Sequence, residues 1–504
     1  MAVPTSYTTH ALSRRIAAAL ALRPDGPALE FERQWVSRRE LADLAHHIRT
    51  FVTAYPLGRR QIGILLRNRP EHVAALLATL LGGGTVVVIN PSRGDERTRA
   101  DIAALRLPLI IGAPGDLAAL VTAAPGTATL AVEGTTAEPR LRVAPGRRIS
   151  TGAAQPGVAV RMLTSGTTGP PKRVDLTYDM LARSVISPDP DNAPAPDRPR
   201  TGVAIVNAPL VHIGGVFRVL QCVAEARPFV LLPRFRLEPW ARAVRDHRPK
   251  AVSLVPAALR AVLRSDLSRD DLSSIRVVTS GTAALSADDA DAFHEKFGIP
   301  VLTSYAATEF GGGVAGWTLA DFRRHRQDKR GSVGRATGGA RLRVVDEDSG
   351  AELPSGQPGL LEVAPGQLGP SATWMRTTDL ARIDADGFLW ILGRADQAVI
   401  RGGFKIMPDD VRTALESHPA VLNAAVVARP DPRLGEVPVA LVEPANGPAV
   451  DITALLAHLR QRLAPYEVPA EIVVVPAIPR TPSGKADLPA VRAHFETTAD
   501  EDSA

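Results

Sequence analysis

Residues 163–174 read Leu-Thr-Ser-Gly-Thr-Thr-Gly-Pro-Pro-Lys-Arg-Val, which sets four hydroxyl residues, two glycines and a lysine side by side. Thr164, Ser165, Thr167 and Thr168 offer hydroxyl donors, and Lys172 adds a positive charge. Gly166 and Gly169 let backbone N–H groups turn toward an anion. Such a loop suits a polyphosphate. It is not the common loop Gly-x-x-x-x-Gly-Lys-Ser/Thr, because two prolines precede the lysine and Arg173 follows it. A polar surface turn draws on the same residue types.

Three further stretches carry chemistry. Residues 208–215, Ala-Pro-Leu-Val-His-Ile-Gly-Gly, place His212 after an apolar run, where open α/β sheets put ligand groups. Residues 304–313, Ser-Tyr-Ala-Ala-Thr-Glu-Phe-Gly-Gly-Gly, set the Thr308 hydroxyl beside the Glu309 carboxylate. Phosphate and Mg²⁺ need that pair, since Mg²⁺ takes one or two carboxylates and otherwise water or phosphate oxygens. Gly311, Gly312 and Gly313 leave room for a bulky or long group beside them. Residues 479–486, Pro-Arg-Thr-Pro-Ser-Gly-Lys-Ala, present Lys485 on a turn of proline, serine and glycine.

These residues need a scaffold, and the apolar pattern supplies one. Throughout the first four hundred residues strand-like runs, at 61–66, 85–90, 109–112, 203–206, 229–232, 252–255 and 275–279, alternate with helical patterns, as a parallel α/β sheet requires. Residues 73–89 fall just short of spanning length and are cut by Gly82, Gly83 and Gly84. They read as helix, glycine stop and strand, so no transmembrane segment is expected. Residues 16–22, after Arg14 and Arg15, lack a small-residue cleavage site and read as an amphipathic surface helix rather than a signal peptide. The proline-rich stretch 188–200 is an exposed loop. A boundary falls near Gly393 and Arg394, giving an N-terminal domain over 1–394 and a C-terminal one over 395–495. The latter is a small α+β unit with helices at 408–417 and 452–463 and strands at 421–427, 437–442 and 472–475. The acidic tail 496–504 is expected to lack structure.

At 504 residues the chain can hold two to four domains. Charged residues at 22% and apolar ones at 45% exclude a disordered or fibrous class. The net charge of +6 comes from scattered arginine rather than one basic run, so no nucleic-acid partner is implied, while an anionic small substrate fits. The one cysteine, Cys222, cannot form an internal disulfide and lies in an apolar run, as a core residue would. A reducing, cytoplasmic setting is the expectation.

The loop and the motifs after it, taken in order, resemble those of the adenylate-forming superfamily, which includes acyl-CoA synthetases, aryl-CoA ligases, luciferases and the adenylation domains of peptide synthetases. The resemblance implies an α/β fold, a large N-terminal domain of α/β sheets with a small mobile α+β C-terminal domain. It implies ATP, Mg²⁺ and coenzyme A as cofactors and a small-molecule carboxylic acid as substrate. By this resemblance the loop residues Thr164 to Gly169 and Lys172 hold phosphate, Thr308 contacts the α-phosphate and Glu309 is the metal ligand. Tyr305 stacks on adenine with Ser304, Ala306 and Ala307 beside it, and Thr282, Ala283 and Ala284 flank the base. In residues 376–382 Asp379 takes both ribose hydroxyls, as two acceptor oxygens allow, and Arg394 reaches ribose or phosphate. His212 sits beside the substrate carboxylate in a pocket with Gly281, Gly311 and Gly312. Lys405, with Gly402 and Gly403, lies where phosphates and pantetheine enter, the small domain swings about Asp396, and Lys485 is the catalytic lysine.

The implied reaction is activation of a fatty or aryl acid to acyl-AMP with loss of pyrophosphate, then transfer to the thiol of coenzyme A. Residues 208–215 hold no acidic residue to pair with a substrate ammonium, which favours an acid without an α-amino group. Two alternatives stay open: loading of an acyl carrier protein's phosphopantetheine, and a non-catalytic adenylate-binding protein. Whether the chain is a monomer or a homodimer is open too. Four positions depart from the family pattern: Arg173 for glycine, Tyr178 for histidine, Thr378 for glycine and Arg412 for glutamate.

Overall fold

Runs of valine and isoleucine bounded by glycine build the frame of the protein in a computed structural model, which describes residues 9–54, 61–121, 127–134, 142–144, 156–164, 172–281, 283–401, 404–445, 450–481 and 484–501. The largest sheet has seven strands in the order 142–144, 128–131, 109–112, 61–65, 85–89, 158–164 and 172–177. Its five inner strands are parallel, and its two edges pair antiparallel. Thr85–Ile89 is buried at every position, which is why its sequence does not alternate. The helix before it, Pro70–Leu81, stops at Gly82, and Gly83 takes a positive φ of 68°, as the glycine stop predicts.

Two further sheets complete the α/β part. One runs 204–206, 229–231, 27–31, 34–37; the other runs 251–253, 277–280, 301–307, 312–316, 335–336. In the second, the first three strands are parallel and the last two turn back. The helix Ala11–Ala21 is amphipathic as expected, burying Leu12, Ile16 and Leu20.

Parallel alternation ends earlier than the sequence pattern suggested. Strands 341–345, 359–364, 375–383 and 389–394 form a wholly antiparallel sheet. No α-helix lies between them to carry a parallel crossover, and each strand turns back on the one before it. Beyond it, strands 404–406, 399–401, 435–444 and 421–431 form one sheet, and 471–474 joins it parallel to 435–444. The acidic end also differs from expectation. A helix spans Leu488–Glu501, anchored by the burial of Val491 and Phe495 against Val427 and Val439, so structure continues into the segment read as a tail. Apolar anchors upstream decide this, not the acidic residues that follow.

No helix among the described residues is long and apolar enough to cross a membrane. Cys222 is buried, and burial pushes its thiol up to about 11, the behaviour of an inert core residue.

His72, on the Pro70–Leu81 helix, is fully buried, and its Nδ1 accepts from the Arg67 N–H at 2.8 Å. Burial, reinforced by Arg69, holds the ring down to about 4 from 6.5. The neutral ring therefore supports the fold fully above pH 6.5, and that support is lost as pH falls, about 2 kcal/mol between pH 6.5 and 5. His72→Asn keeps an acceptor for Arg67 and should flatten the stability curve by about that amount in urea titrations across this window. An unchanged slope would contradict the assignment.

Candidate active site

Strand Val301–Ala307 carries Ser304, Tyr305, Ala306 and Ala307 to its end, where the chain turns through Thr308–Phe310. Phe310 is buried and anchors the turn, leaving Glu309 exposed. Gly311 closes it at a φ of 71°, and a Cβ there would come within 2.8 Å of the Met180 side chain. The positive φ favours glycine, and a larger residue would also have to displace the Met180 methyl group. Gly312, also at positive φ, opens the next strand. Glu309 makes no ion pair among the described residues, so its carboxylate is available to a cation. Next door, Gly281 follows strand 277–280, and a Cβ there would lie 2.7 Å from the Ser304 hydroxyl. Ala283 and Ala284 come next and are exposed.

The antiparallel sheet delivers the next residues. Asp379 lies opposite Arg394 in register. The Tyr305 hydroxyl donates to the Asp379 carboxylate, tying the two sheets together. Burial raises Asp379 above the usual carboxylate range, while Tyr305 and Arg394 pull it back. Burial and then Asp379 push the Tyr305 phenol up, so it stays a donor. Arg394 forms a two-point pair with Asp396 at 2.8 and 2.9 Å and also donates to the Thr378 hydroxyl. Thr378, one of the departures, thus supplies an acceptor that glycine lacks.

Lys485 arrives from the C-terminal unit. Its turn is closed by Thr481 N–H to the Lys485 carbonyl at 2.7 Å and by Gly484 N–H to the Thr481 carbonyl at 2.8 Å. Although exposed, its ammonium is held below the ordinary lysine value, first by lost hydration and then by Arg394. Asp379 and Glu309 act in the opposite sense. The fold therefore gathers Glu309, Tyr305, Asp379, Arg394 and Lys485 into one electrostatic cluster from distant parts of the chain. His212 sits at the N-cap of helix Ile213–Ala224. The turn before that helix needs Gly215, where a Cβ would lie 2.2 Å from the Pro209 carbonyl oxygen.

Ser165, Gly166, Thr167, Thr168 and Gly169, together with Thr282, Gly402 and Gly403, lie outside the described residues. Thr164 and Lys172 pair across the ends of the two strands that flank that loop. Lys405 lies opposite Ile400 in strand 404–406.

The other departures have structural partners. Arg173 binds Asp101 at 2.6 Å and the Val88 carbonyl at 3.2 Å, which holds its guanidinium against the sheet. Tyr178 is buried and donates to the carbonyls of Gly84 and Leu80, at 2.7 and 3.2 Å. Arg412 bonds Asp409 at 3.0 Å and Glu416 at 2.7 Å. Burial works against its charge, yet Glu416 and Asp409 outweigh burial and hold it above its ordinary value. Glu416 in turn accepts from Arg260, on the N-terminal helix Pro256–Leu263, at 2.7 Å. The sequence reading missed this clamp. Arg412 and Glu416 stand four apart on one helix, a legible pair, but nothing local links them to Arg260.

The family profile described as AMP-binding enzyme matches residues 16–369, and that of the AMP-binding enzyme C-terminal domain matches residues 410–485. The chain belongs to the AMP-binding enzymes. It is similar to 4-coumarate–CoA ligase 5 of Oryza sativa subsp. japonica, 30% identical over 447 residues that cover 84% of this chain and 82% of that one. It is also similar to the indoleacetate–CoA ligase of Aromatoleum aromaticum, 29% identical over 506 residues covering 95% and 97%. Among solved structures, the o-succinylbenzoate CoA synthetase of Bacillus subtilis with its acyl-adenylate intermediate aligns at a TM-score of 0.77 and 25% identity, over 95% of this chain and 97% of that one.

The clamp makes a testable statement about the seating of Lys485. Arg260→Met leaves Glu416 with partners in its own unit alone, Arg412 and the Ala424 N–H, so the 410–485 unit should loosen. Amide exchange should quicken at residues 408–416 and 256–263, and small-angle scattering should show a larger radius of gyration. Exchange and radius equal to wild type would contradict a clamping role.

Proposed function

We propose that this protein activates a carboxylic acid with ATP to an acyl-adenylate, releasing pyrophosphate, and then transfers the acyl group to the thiol of coenzyme A. What supports this reading is the meeting of Tyr305, Asp379 and Arg394, the Tyr305 hydroxyl on the Asp379 carboxylate and Arg394 opposite it in register, with the Lys485 ammonium influenced by Arg394, Asp379 and Glu309. In the first step a carboxylate oxygen attacks the α-phosphorus of ATP and pyrophosphate leaves. Two anions must be held together, and charge spreads over the phosphoryl oxygens in the transition state. Lys485 meets that charge; at about 4 Å and an effective dielectric near 20 one such contact is worth about 4 kcal/mol, roughly a thousandfold in rate. Asp379 takes the ribose hydroxyls, and Tyr305 fixes its carboxylate. Thr308 and the loop at 163–174 hold phosphate, and His212 orients the acid.

Glu309 fits an Mg²⁺ ion, being an exposed carboxylate with no ion pair among the described residues, and such an ion would neutralise phosphate charge. In the second step the thiol attacks the acyl carbon and AMP leaves. For this the C-terminal unit, 395–495, turns about Asp396 and withdraws Lys485, bringing Lys405, Gly402 and Gly403 to the thiol's entry. The two named relatives favour an aryl over a fatty acid, since their names specify 4-coumarate and indoleacetate.

Acid-dependent exchange of label between pyrophosphate and ATP tests the first step. Lys485→Ala should lower the rate by about a hundredfold to a thousandfold. Because Lys485 acts as a cation and its value is lowered, exchange in wild type should fall as pH rises through that lowered value. Lys485→Arg should move this alkaline limb to higher pH. ATP binding with no exchange for any acid would leave a binding protein rather than a ligase.

A further inference from the structure

A cavity of about 290 Å³ lies beyond the cluster, walled by Arg183, Ser184, Phe217, Gly313 and Gln367 among others. Two elements lead to it from the reaction centre. The helix that starts after His212 brings Phe217 to its wall, about 7.5 Å along the helix axis from His212. The strand that starts after the Glu309 turn brings Gly313 to the same wall. The Ser184 hydroxyl, donating to the Gly311 carbonyl at 2.8 Å, ties the wall to that turn. On the ligase reading, an acid held with its carboxylate beside His212 and Thr308 would have these two elements as its path to the cavity.

The lining is not that of a hydrocarbon pocket. Arg183 is half-buried and has no carboxylate in ion-pair reach among the described residues; its one hydrogen bond goes to the Gln367 carbonyl at a long 3.4 Å. Gly369 backs the guanidinium so closely that a Cβ would come within 3.4 Å of it. Gln367 is buried; its side-chain N–H donates to the Gly313 carbonyl at 2.8 Å, while its Oε1 has no partner among the described residues. An apolar acyl tail here would strip water from the Arg183 guanidinium, which no carboxylate among the described residues balances, and that exchange is unfavourable. A carboxylate or sulfonate matches the arginine fork.

Resting on the ligase reading, we propose that Arg183 recognises a second acidic group at the far end of the substrate, so that the acid activated is a dianion. The test compares matched pairs in pyrophosphate exchange: 4-carboxyphenylacetate against phenylacetate, and succinate against butyrate. Wild type should prefer the dianion of at least one pair by at least about 30-fold in kcat/KM. Arg183→Met should abolish the preference, and Arg183→Lys, which keeps the charge without the two-point fork, should fall between. No preference in wild type, or one that survives both substitutions, overturns the proposal. If no acid supports exchange, the ligase reading fails, and calorimetric titration of 4-carboxyphenylacetate onto the protein with a non-hydrolysable ATP analogue decides the rest. Binding lost in Arg183→Lys or Arg183→Met upholds the anion site; absent or unaffected binding overturns it.

Discussion

The contact between Arg260 and Glu416, at 2.7 Å and with both side chains about nine-tenths buried, is the constraint on which the site depends. Lys485 belongs to the C-terminal unit, and its ammonium reaches the field of Asp379 and Glu309 only while that unit is seated on the N-terminal sheets. Glu416 is not left as a single buried charge. It accepts from Arg412 and from the Ala424 N–H as well, so its oxygens are satisfied, as a buried carboxylate needs. Arg412, the residue that departs from the family pattern, is therefore part of the seating. A clamp made of ion pairs rather than apolar surface can release without exposing hydrocarbon to water, which suits the proposed turn of this unit between two steps.

Inside the site, signs are arranged to leave room for a nucleotide's negative charge. Arg394 is already neutralised by Asp396, and Asp379 is engaged on one oxygen by Tyr305. Lys485 and Glu309 have no such fixed partner among the described residues, which is what their proposed contacts with phosphate and a metal ion require. Tyr305 was expected to stack on adenine. Its hydroxyl holds the Asp379 carboxylate across two sheets, so under the proposed roles one ring would bear on base and ribose together.

Much of this was legible in the sequence because the informative features are local. The helix, glycine stop and strand at 70–89 follow from composition alone, and the turn residues around Lys485 dictate the hairpin that presents it. The antiparallel sheet at 341–394 was not legible. Its strand Gly359–Ala364 is buried at every position and reads like a parallel strand, and only the absence of a helix beside it says otherwise. The helix over the acidic end was missed for a similar reason, since Val491 and Phe495 have meaning only once a sheet face awaits them. Arg260 and Arg183 were invisible in principle: each is one arginine among many on a helix, and its role lies in what a distant segment places next to it.

The most direct measurement of the central claim follows the oxygen atoms. If a carboxylate oxygen attacks the α-phosphorus and the thiol then displaces AMP at the acyl carbon, that oxygen leaves with AMP. With the acid labelled in its carboxyl group with ¹⁸O, and with ATP and coenzyme A present, mass spectrometry should find one labelled oxygen in AMP and one in the thioester. Label absent from AMP, or found in inorganic phosphate released with ADP, would contradict adenylation at this site.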